Sequence, residues 1–364
     1  MVERLRWGIL GAKSWIARDA IIPAIRNSRN GVVAALGTRD ASVSGDDGAR
    51  VCGYEALLAD PAVDALYVPL PNSMHLGWAI RAAEAGKPVL LEKPLALNAD
   101  EAAEIVDAFE RRHVPLMESF MFRFHPQHRR VRELIDLGVI GDIVEVRAHL
   151  SVDITSPPDP DNIRMKPELG GGALLDMGCY MISVARMLFA AEPVAARAWW
   201  KQDKRFGVDV AAAGVLEFPG ARPALVSCSF EGFGNGFYSV IGRKGVIEAP
   251  RGIILGLGTR LGEALIVRMD ADGRRTEESI PPVDHYRLIV EAFADAVLNK
   301  TPVPLPPLDS LNNMRAIDAF ARVAREDQRR GQDRSGATAA ATVRRRRRGC
   351  GKTGGRRGMT PTAL

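Results

Sequence analysis

Short apolar runs and one-sided helical patterns alternate through the first third of the chain. Leu5 to Leu10 and Val32 to Gly37 read as strands, and Ile16 to Arg26 between them carries its apolar residues on one helical face. Ala65 to Leu70 predicts another strand, His75 to Ala85 a helix, Val89 to Leu91 a short strand and Ala99 to Arg111 a strong helix. Such alternation predicts βαβ units, a parallel sheet with helices on both faces.

The period then changes. Asp142 to Ser151, Val194 to Trp200, Ala211 to Phe218, Ala224 to Phe230 and Tyr238 to Ile241 gather apolar residues at strand spacing, with glycine and proline between them. This predicts a large, mostly antiparallel sheet. Helices are expected over Ala173 to Phe189, Arg287 to Leu298 and Ser310 to Asp327, the last after an extended proline-rich connector, TPVPLPPL. Beyond Gln328 the apolar periodicity disappears.

Composition supports two buried cores: 364 residues, 46% hydrophobic and 26% charged, excluding a disordered chain or a small disulfide scaffold. The net charge of +5 first suggests a nucleic-acid partner. Its location removes that suggestion. Residues 331–364 hold nine basic residues and one acidic, leaving 40 basic and 43 acidic, so the body is mildly acidic. That tail has no Phe, Trp or Tyr on which a base could stack, and nucleic acid is not expected as a partner. The cysteines, 52, 179, 228 and 350, form no Cys-x-x-Cys pair and fit reduced thiols. His125 and His128 lack a third ligand at metal spacing, so no metal is expected. MVERLRWGILGAK runs directly into a strand without a leader pattern, and no stretch reaches the ~20 apolar residues of a membrane span. A cytoplasmic protein with no membrane partner is expected.

The first candidate chemistry lies at the end of the first strand. Gly8 to Ala17 reads GILGAKSWIA, where a glycine turn feeds a helix and can set a pyrophosphate on backbone N–H groups. Gly11 can make the turn, and Ala17 is small enough for close packing. Lys13 stands where the middle glycine of G-x-G-x-x-G belongs, and a glycine turn in a non-nucleotide protein would look similar. The second strand ends Gly37-Thr38-Arg39-Asp40. A cation there favours a ribose 2′-phosphate, so Thr38 and Arg39 point to NADP, with NAD as the other possibility. Arg39 could also be a solvated surface charge, with Asp40 a helix cap.

Five stretches together carry a family resemblance: WGILGAKSWIA, VPLPNSMHLGWAIRAAEAGKPVLLEKPLA, ESFMFRFHPQ, NIRMKPELGGGALLDMGCY and HYRLIVEAFADAV. Over about residues 5–328 the chain resembles the Gfo/Idh/MocA family of nicotinamide-dependent oxidoreductases. It looks most like the subgroup of glucose–fructose oxidoreductase, NADP-dependent D-xylose dehydrogenase and dimeric dihydrodiol dehydrogenase. The resemblance implies an α/β fold: an N-terminal Rossmann dinucleotide-binding domain (1–120), then a C-terminal α+β domain (121–328) whose large antiparallel sheet serves substrate binding and homodimer contact. A disordered basic tail (329–364) would follow.

It also implies the site. Lys93, in Glu92-Lys93-Pro94, matches the family's catalytic lysine, and Tyr180 stands where many relatives have histidine. Taking hydride from an alcohol carbon needs a positioned base, and a tyrosine, with a pKa of about 10, needs a neighbouring ammonium to serve. Lys93 is therefore expected to lower the pKa of Tyr180 and polarise the substrate oxygen. Asp176 would orient the hydroxyls of a sugar or polyol, and Arg164 would lie near the substrate. Gly11, Ala12, Lys13, Ser14, Trp15, Ile16, Thr38, Arg39, Pro71, Asn72, His75, Glu92, Lys93 and Arg123 would line the cofactor. Structural readings stand beside these: a half-buried aromatic for Tyr180, a cap for Asn72 and a domain-bridging ion pair for Arg123 or Arg164.

One departure is visible. Between Asp40 and Tyr54 the chain is short and poor in helical periodicity, so a helix flanking the adenosine pocket is expected to be reduced or missing. The function implied is an NAD(P)-dependent oxidoreductase acting on CH–OH groups. The alternative is a catalytically silent member that senses a ligand or scaffolds a partner.

Overall fold

The computed structural model describes residues 3–40, 42–45, 48–257 and 260–349, with side chains up to residue 330 apart from 257 and 260. Six strands form the first sheet: β1 (Leu5–Leu10), β2 (Gly31–Gly37), β3 (Arg50–Cys52), β4 (Ala65–Val68), β5 (Val89–Leu91) and β6 (Leu116–Glu118). Their order is β3-β2-β1-β4-β5-β6 and every pairing is parallel. The inner strands are mostly apolar, as in a sheet covered on both faces, and β4 and β5 have no exposed position. The order reverses beside β1, the crevice where open α/β sheets bind ligands.

The helices between these strands are α1 (Ile22–Arg26), α2 (Tyr54–Leu58), α3 (His75–Glu84) and α4 (Ala99–Arg112). Expected as one regular helix, the segment after β1 instead enters α1 through a π-helical turn, Ala17–Ile21. Asn98 caps α4 by accepting from Glu101 N at 2.9 Å, and His113 closes it in the left-handed region. Among the described residues between β2 and β3 there is no helix, as the short span implied.

α5 (Pro126–Asp136) and the 11-residue α6 (Cys179–Phe189) pack beneath an eight-stranded sheet. Its strands are β7 (Ile143–Ser151), β8 (Ala195–Gln202), β9 (Asp209–Phe218), β10 (Arg222–Ser229), β11 (Asn235–Gly242), β12 (Gly245–Ala249), β15 (Ala264–Asp270) and β16 (Arg275–Ile280); β13 (Gly256–Leu257) and β14 (Arg260–Leu261) form a separate hairpin. Only β7 with β10 is parallel. The run Pro167–Phe189 is the one described helical stretch long and apolar enough for a membrane span, and 83% of its most apolar window lies inside the fold.

Chain order and layer do not coincide at the end. α7 (His285–Asn299) returns to the first sheet, where Phe293 meets Trp7 with ring centroids 5.4 Å apart. α8 crosses between the two halves, its Asp318 carboxylate accepting from Ala99 N at 2.7 Å. α8 spans Pro307–Gly349, beyond the end at Asp327 that periodicity predicts. The expected tail from residue 329 thus begins inside this helix; its Ala and Arg residues are strong helix formers without an apolar stripe. Residues 350–364, with Cys350, lie outside the described residues.

Candidate active site

The loops after β1, β4 and β5 face the start of α6 and the end of β7 across a cavity of about 390 Å³. Lys93 enters it from the β5 loop, Asp176 from a π-helical turn (Leu174–Gly178) ahead of α6, and Arg164 from a tight turn, Ile163–Met165. A glycine run holds that last turn in place. Gly172 N donates to the Arg164 carbonyl at 3.0 Å, and a Cβ on Gly171 would lie 2.5 Å from the same oxygen.

These three residues form one electrostatic unit. Lys93 Nζ donates to the Asp176 carbonyl and to Asp176 Oδ1, both at 2.8 Å, while Arg164 Nε donates to Asp176 Oδ2 at 2.8 Å. Burial alone would raise the Asp176 carboxyl, but the two cations outweigh it and hold its pKa well below the usual carboxylate range. Burial likewise opposes the Lys93 ammonium, and Asp176 overrides it, so Lys93 titrates above its ordinary value. Arg164 is raised by Asp176 as well. The unit is a carboxylate between two fixed cations.

Tyr180, on the first turn of α6, presents its ring to Lys93, with Nζ 5.0 Å from the centroid. Its hydroxyl donates to Met121 Sδ at 3.6 Å, a weak acceptor. The expected lowering of the Tyr180 pKa is not what this arrangement produces. Burial comes first, with Tyr286 and Glu92 adding to it, and the phenol lies well above its ordinary value. Lys93 does not offset this burial: its ammonium donates twice to Asp176 and lies over the Tyr180 ring.

The cofactor side divides the expected residues. Gly11 adopts φ +123°, where a Cβ would also crowd Leu70 at 3.1 Å, so only glycine suits the turn. The chain turns helical at Trp15, and the π turn that follows has no side-chain cap, so backbone N–H groups at this helix start are of the kind that receive a pyrophosphate. These features fit a dinucleotide. Ser14, Trp15, Ile16, Asn72, Glu92 and Lys93 line the cavity with Arg164, Asp176 and Tyr180. Gly11, Ala12, Lys13, Thr38 and Arg39 gather instead around the ends of β1 and β2: Gly11 N and Ala12 N donate to the Gly37 carbonyl, and Lys13 pairs with Asp40. The Arg39 guanidinium lies 5.9 Å from the Tyr54 ring centroid.

Three expected residues are turned elsewhere. His75 is buried with Nδ1 and Nε2 facing the carbonyls of Pro94 and Leu70 at 3.0 and 2.9 Å, bracing the two loops from behind. Pro71 only opens the turn Asn72–Met74. Arg123 reaches Ser183 Oγ and Asp309 Oδ2, both at 3.4 Å, and joins α6 to α8 in the bridging role left open above.

Sequence reasoning passed over several contributors. Tyr67, the polar tip in an otherwise apolar β4, donates to Glu92 Oε1 at 2.6 Å and orients that buried carboxyl, whose pKa burial raises. Met121 and Tyr286 line the cavity; both lie in stretches noted above, but nothing in their local pattern points inward. Among the described residues no group of histidine, cysteine or carboxylate side chains could hold a metal ion, and Cys52, Cys179 and Cys228 are free thiols.

Two family models match the chain: "Oxidoreductase family, NAD-binding Rossmann fold" over residues 5–120 and "GFO/IDH/MocA C-terminal domain" over residues 128–248. Among curated proteins, a D-xylose 1-dehydrogenase (NADP(+)) of Haloferax volcanii is 38% identical over 322 residues, covering 87% of this chain and 96% of the relative. Among solved structures, a 3-ketoreductase from Actinomadura kijaniata in complex with NADP and TDP-benzene superposes with a TM-score of 0.81 at 30% identity, covering 88% of this chain and 98% of the other. The aldose–aldose oxidoreductase from Caulobacter crescentus, complexed with glycerol, gives a TM-score of 0.80 at 27% identity, covering 89% and 98%.

Proposed function

The chain belongs to the GFO/IDH/MocA family of oxidoreductases, and from that premise we propose that it moves hydride between NADP and a carbinol carbon of a sugar or cyclic polyol. The observation that carries this is the Lys93 ammonium fixed on Asp176 beside a neutral, weakly bonded Tyr180 phenol in one cavity. When bound, a nicotinamide dinucleotide supplies the hydride acceptor or donor.

The chain's residues manage the proton and the charge. In the reducing direction the Tyr180 hydroxyl leaves the Met121 sulfur and donates to the substrate oxygen, a better acceptor. Lys93, held protonated by Asp176, stabilises negative charge as it develops on that oxygen. In the oxidising direction the same phenol must first lose its proton, which its burial opposes. Asp176 fixes Lys93 and Arg164, and its remaining lone pairs can accept substrate hydroxyls.

The preference for NADP rests on the end of β2. Asp40 would repel a 2′-phosphate, but Lys13 pairs with it and Ser42 N donates to it, while the exposed Arg39 guanidinium stays beside Tyr54 at the same end. The open face of the eight-stranded sheet carries exposed Trp199, Val215, Leu225 and Met269, and supports pairing with a second copy.

The test is turnover. Aldoses and cyclic diols are screened with NADP and with NAD at the nicotinamide absorbance band, and the account expects oxidation of at least one neutral alcohol with NADP preferred. Nucleotide binding without turnover of any alcohol would favour a silent, ligand-sensing role instead.

A further inference from the structure

Asp209, the first residue of β9, lies outside the cavity lining, yet its carboxylate holds the turn that carries Asp176. Oδ2 accepts from Leu174 N at 2.7 Å, at the first residue of the π turn Leu174–Gly178. Ala173 stands at the cap position of that turn and has no side-chain acceptor to offer. Asp209 supplies the missing cap from a distant strand, bonding an N–H that a helix start leaves without an internal partner.

The backbone is shaped to admit this carboxylate. Gly172 has φ +116°, and a Cβ there would lie 2.2 Å from Asp209 Oδ1. The same glycine ties in both sides of the charged unit: its N–H donates to the Arg164 carbonyl at 3.0 Å, and its carbonyl accepts from Asp176 N at 3.1 Å. Two residues beyond Leu174, the Asp176 carboxylate makes its 2.8 Å bonds to Lys93 and Arg164. A shift of the turn by about 1 Å would carry both out of hydrogen-bond range, and misplacement on that scale costs about 10²-fold in rate.

Burial raises the Asp209 carboxyl to about 6, against the backbone N–H groups of Leu174 and Ala173, which lower it. Its folded pKa lies above the unfolded value, so the stability linked to its proton is complete below about pH 3.9 and lost as pH rises through about 6. At neutral pH this charge works against the fold, as groups kept for a functional site commonly do.

We infer that Asp209 is a positioning residue for the reaction: by capping the π turn from β9 it holds Asp176, and through it Lys93 and Arg164, beside Tyr180. The inference rests on the oxidoreductase reading and adds a residue that touches neither substrate nor nucleotide.

The experiment measures kcat and KM for D-xylose and trans-1,2-cyclohexanediol with NADP, and the Kd for NADPH, in the wild type, Asp209→Ala and Asp209→Asn at pH 7.5. Asp209→Ala is expected to lower kcat by about 10²-fold, with KM and the NADPH Kd within a few fold. Asp209→Asn keeps an oxygen for Leu174 N and should restore kcat to within about fivefold of the wild type. A loss below about fivefold in the folded Ala variant, or an Asn variant no better than Ala, would overturn the inference. One arm needs neither a variant nor a substrate: with NADPH bound, the Leu174 amide of the wild type should exchange its hydrogen at least about 10³-fold more slowly than an unfolded chain. Exchange at the unprotected rate would overturn the inference even if no variant folds. Failure of the oxidoreductase reading looks different: no alcohol is turned over, while the Leu174 amide stays protected.

Discussion

Lys93 Nζ donates to both the carbonyl oxygen and Oδ1 of Asp176, each at 2.8 Å, so one ammonium ties the loop after β5 to the π turn ahead of α6. The bond crosses between the two sheets and leaves Lys93 charged inside the cavity. Chemistry and domain geometry therefore share a single contact.

Replacing Asp176 with Asn removes the charge that holds Lys93 and Arg164 while keeping the shape. Two half-buried cations then face each other without a counter-charge, and kcat/KM is expected to fall by about 10²-fold or more. The Lys93 pKa drops from its raised value, so the residual activity should decline at alkaline pH where the wild type does not. Measuring the pH profile of the variant beside the wild type checks this.

The Tyr180 phenol, raised above its ordinary value by burial, sets opposite pH dependences for the two directions. Reduction uses the protonated phenol and should be flat between about pH 6 and 9. Oxidation needs the deprotonated form, whose fraction grows about tenfold per pH unit below the pKa, so its rate should climb over the same range. Oxidation that is flat with pH would contradict Tyr180 as the proton carrier.

Arg39→Ala tests the 2′-phosphate site. A charge-assisted contact is worth about 1.5–3 kcal/mol, so the Kd for NADPH should rise by about tenfold to a hundredfold. The Kd for NADH should barely move. Equal loss for both nucleotides, read by fluorescence titration, would show that Arg39 acts through the fold instead.

Glu118, at the end of β6, is buried, and burial pushes its carboxyl up to about 8. Its folded pKa lies above the unfolded value, so the stability linked to its proton is complete below about pH 4.5 and is lost as pH rises through about 8. Glu118→Gln should remove that slope, with a gain over the wild type on the order of 4 kcal/mol building up between about pH 5 and 8. Thermal melts at both pH values decide it; a constant difference would contradict the assignment.

The parallel sheet was legible because its strands are buried on both faces and read as continuous apolar runs broken by helical periods. β1, at Leu5–Leu10, and β5, at Val89–Leu91, fall where the pattern places them. The Lys93, Asp176 and Tyr180 constellation was legible through motifs, and the structure brings all three into one cavity. What the sequence did not carry was direction. His75 and Arg123 sit in the expected stretches but point to backbone carbonyls and to Asp309, because a one-dimensional motif does not say which face of a loop turns inward. The sign of the Tyr180 shift depended on how deeply the phenol is buried, a three-dimensional fact. The meeting of Trp15, Ile163 and Ile254 at one cavity was invisible for the same reason: they are far apart in the chain and come together only through the fold.

The most direct test of the central claim pairs a binding measurement with a turnover measurement on Lys93→Met. NADPH fluorescence titration and alcohol oxidation at the nicotinamide band are run on the wild type and the variant. The account predicts nucleotide affinity within a few fold of the wild type and turnover reduced by about 10²–10⁴-fold. Turnover within a few fold of the wild type at full nucleotide occupancy would contradict it.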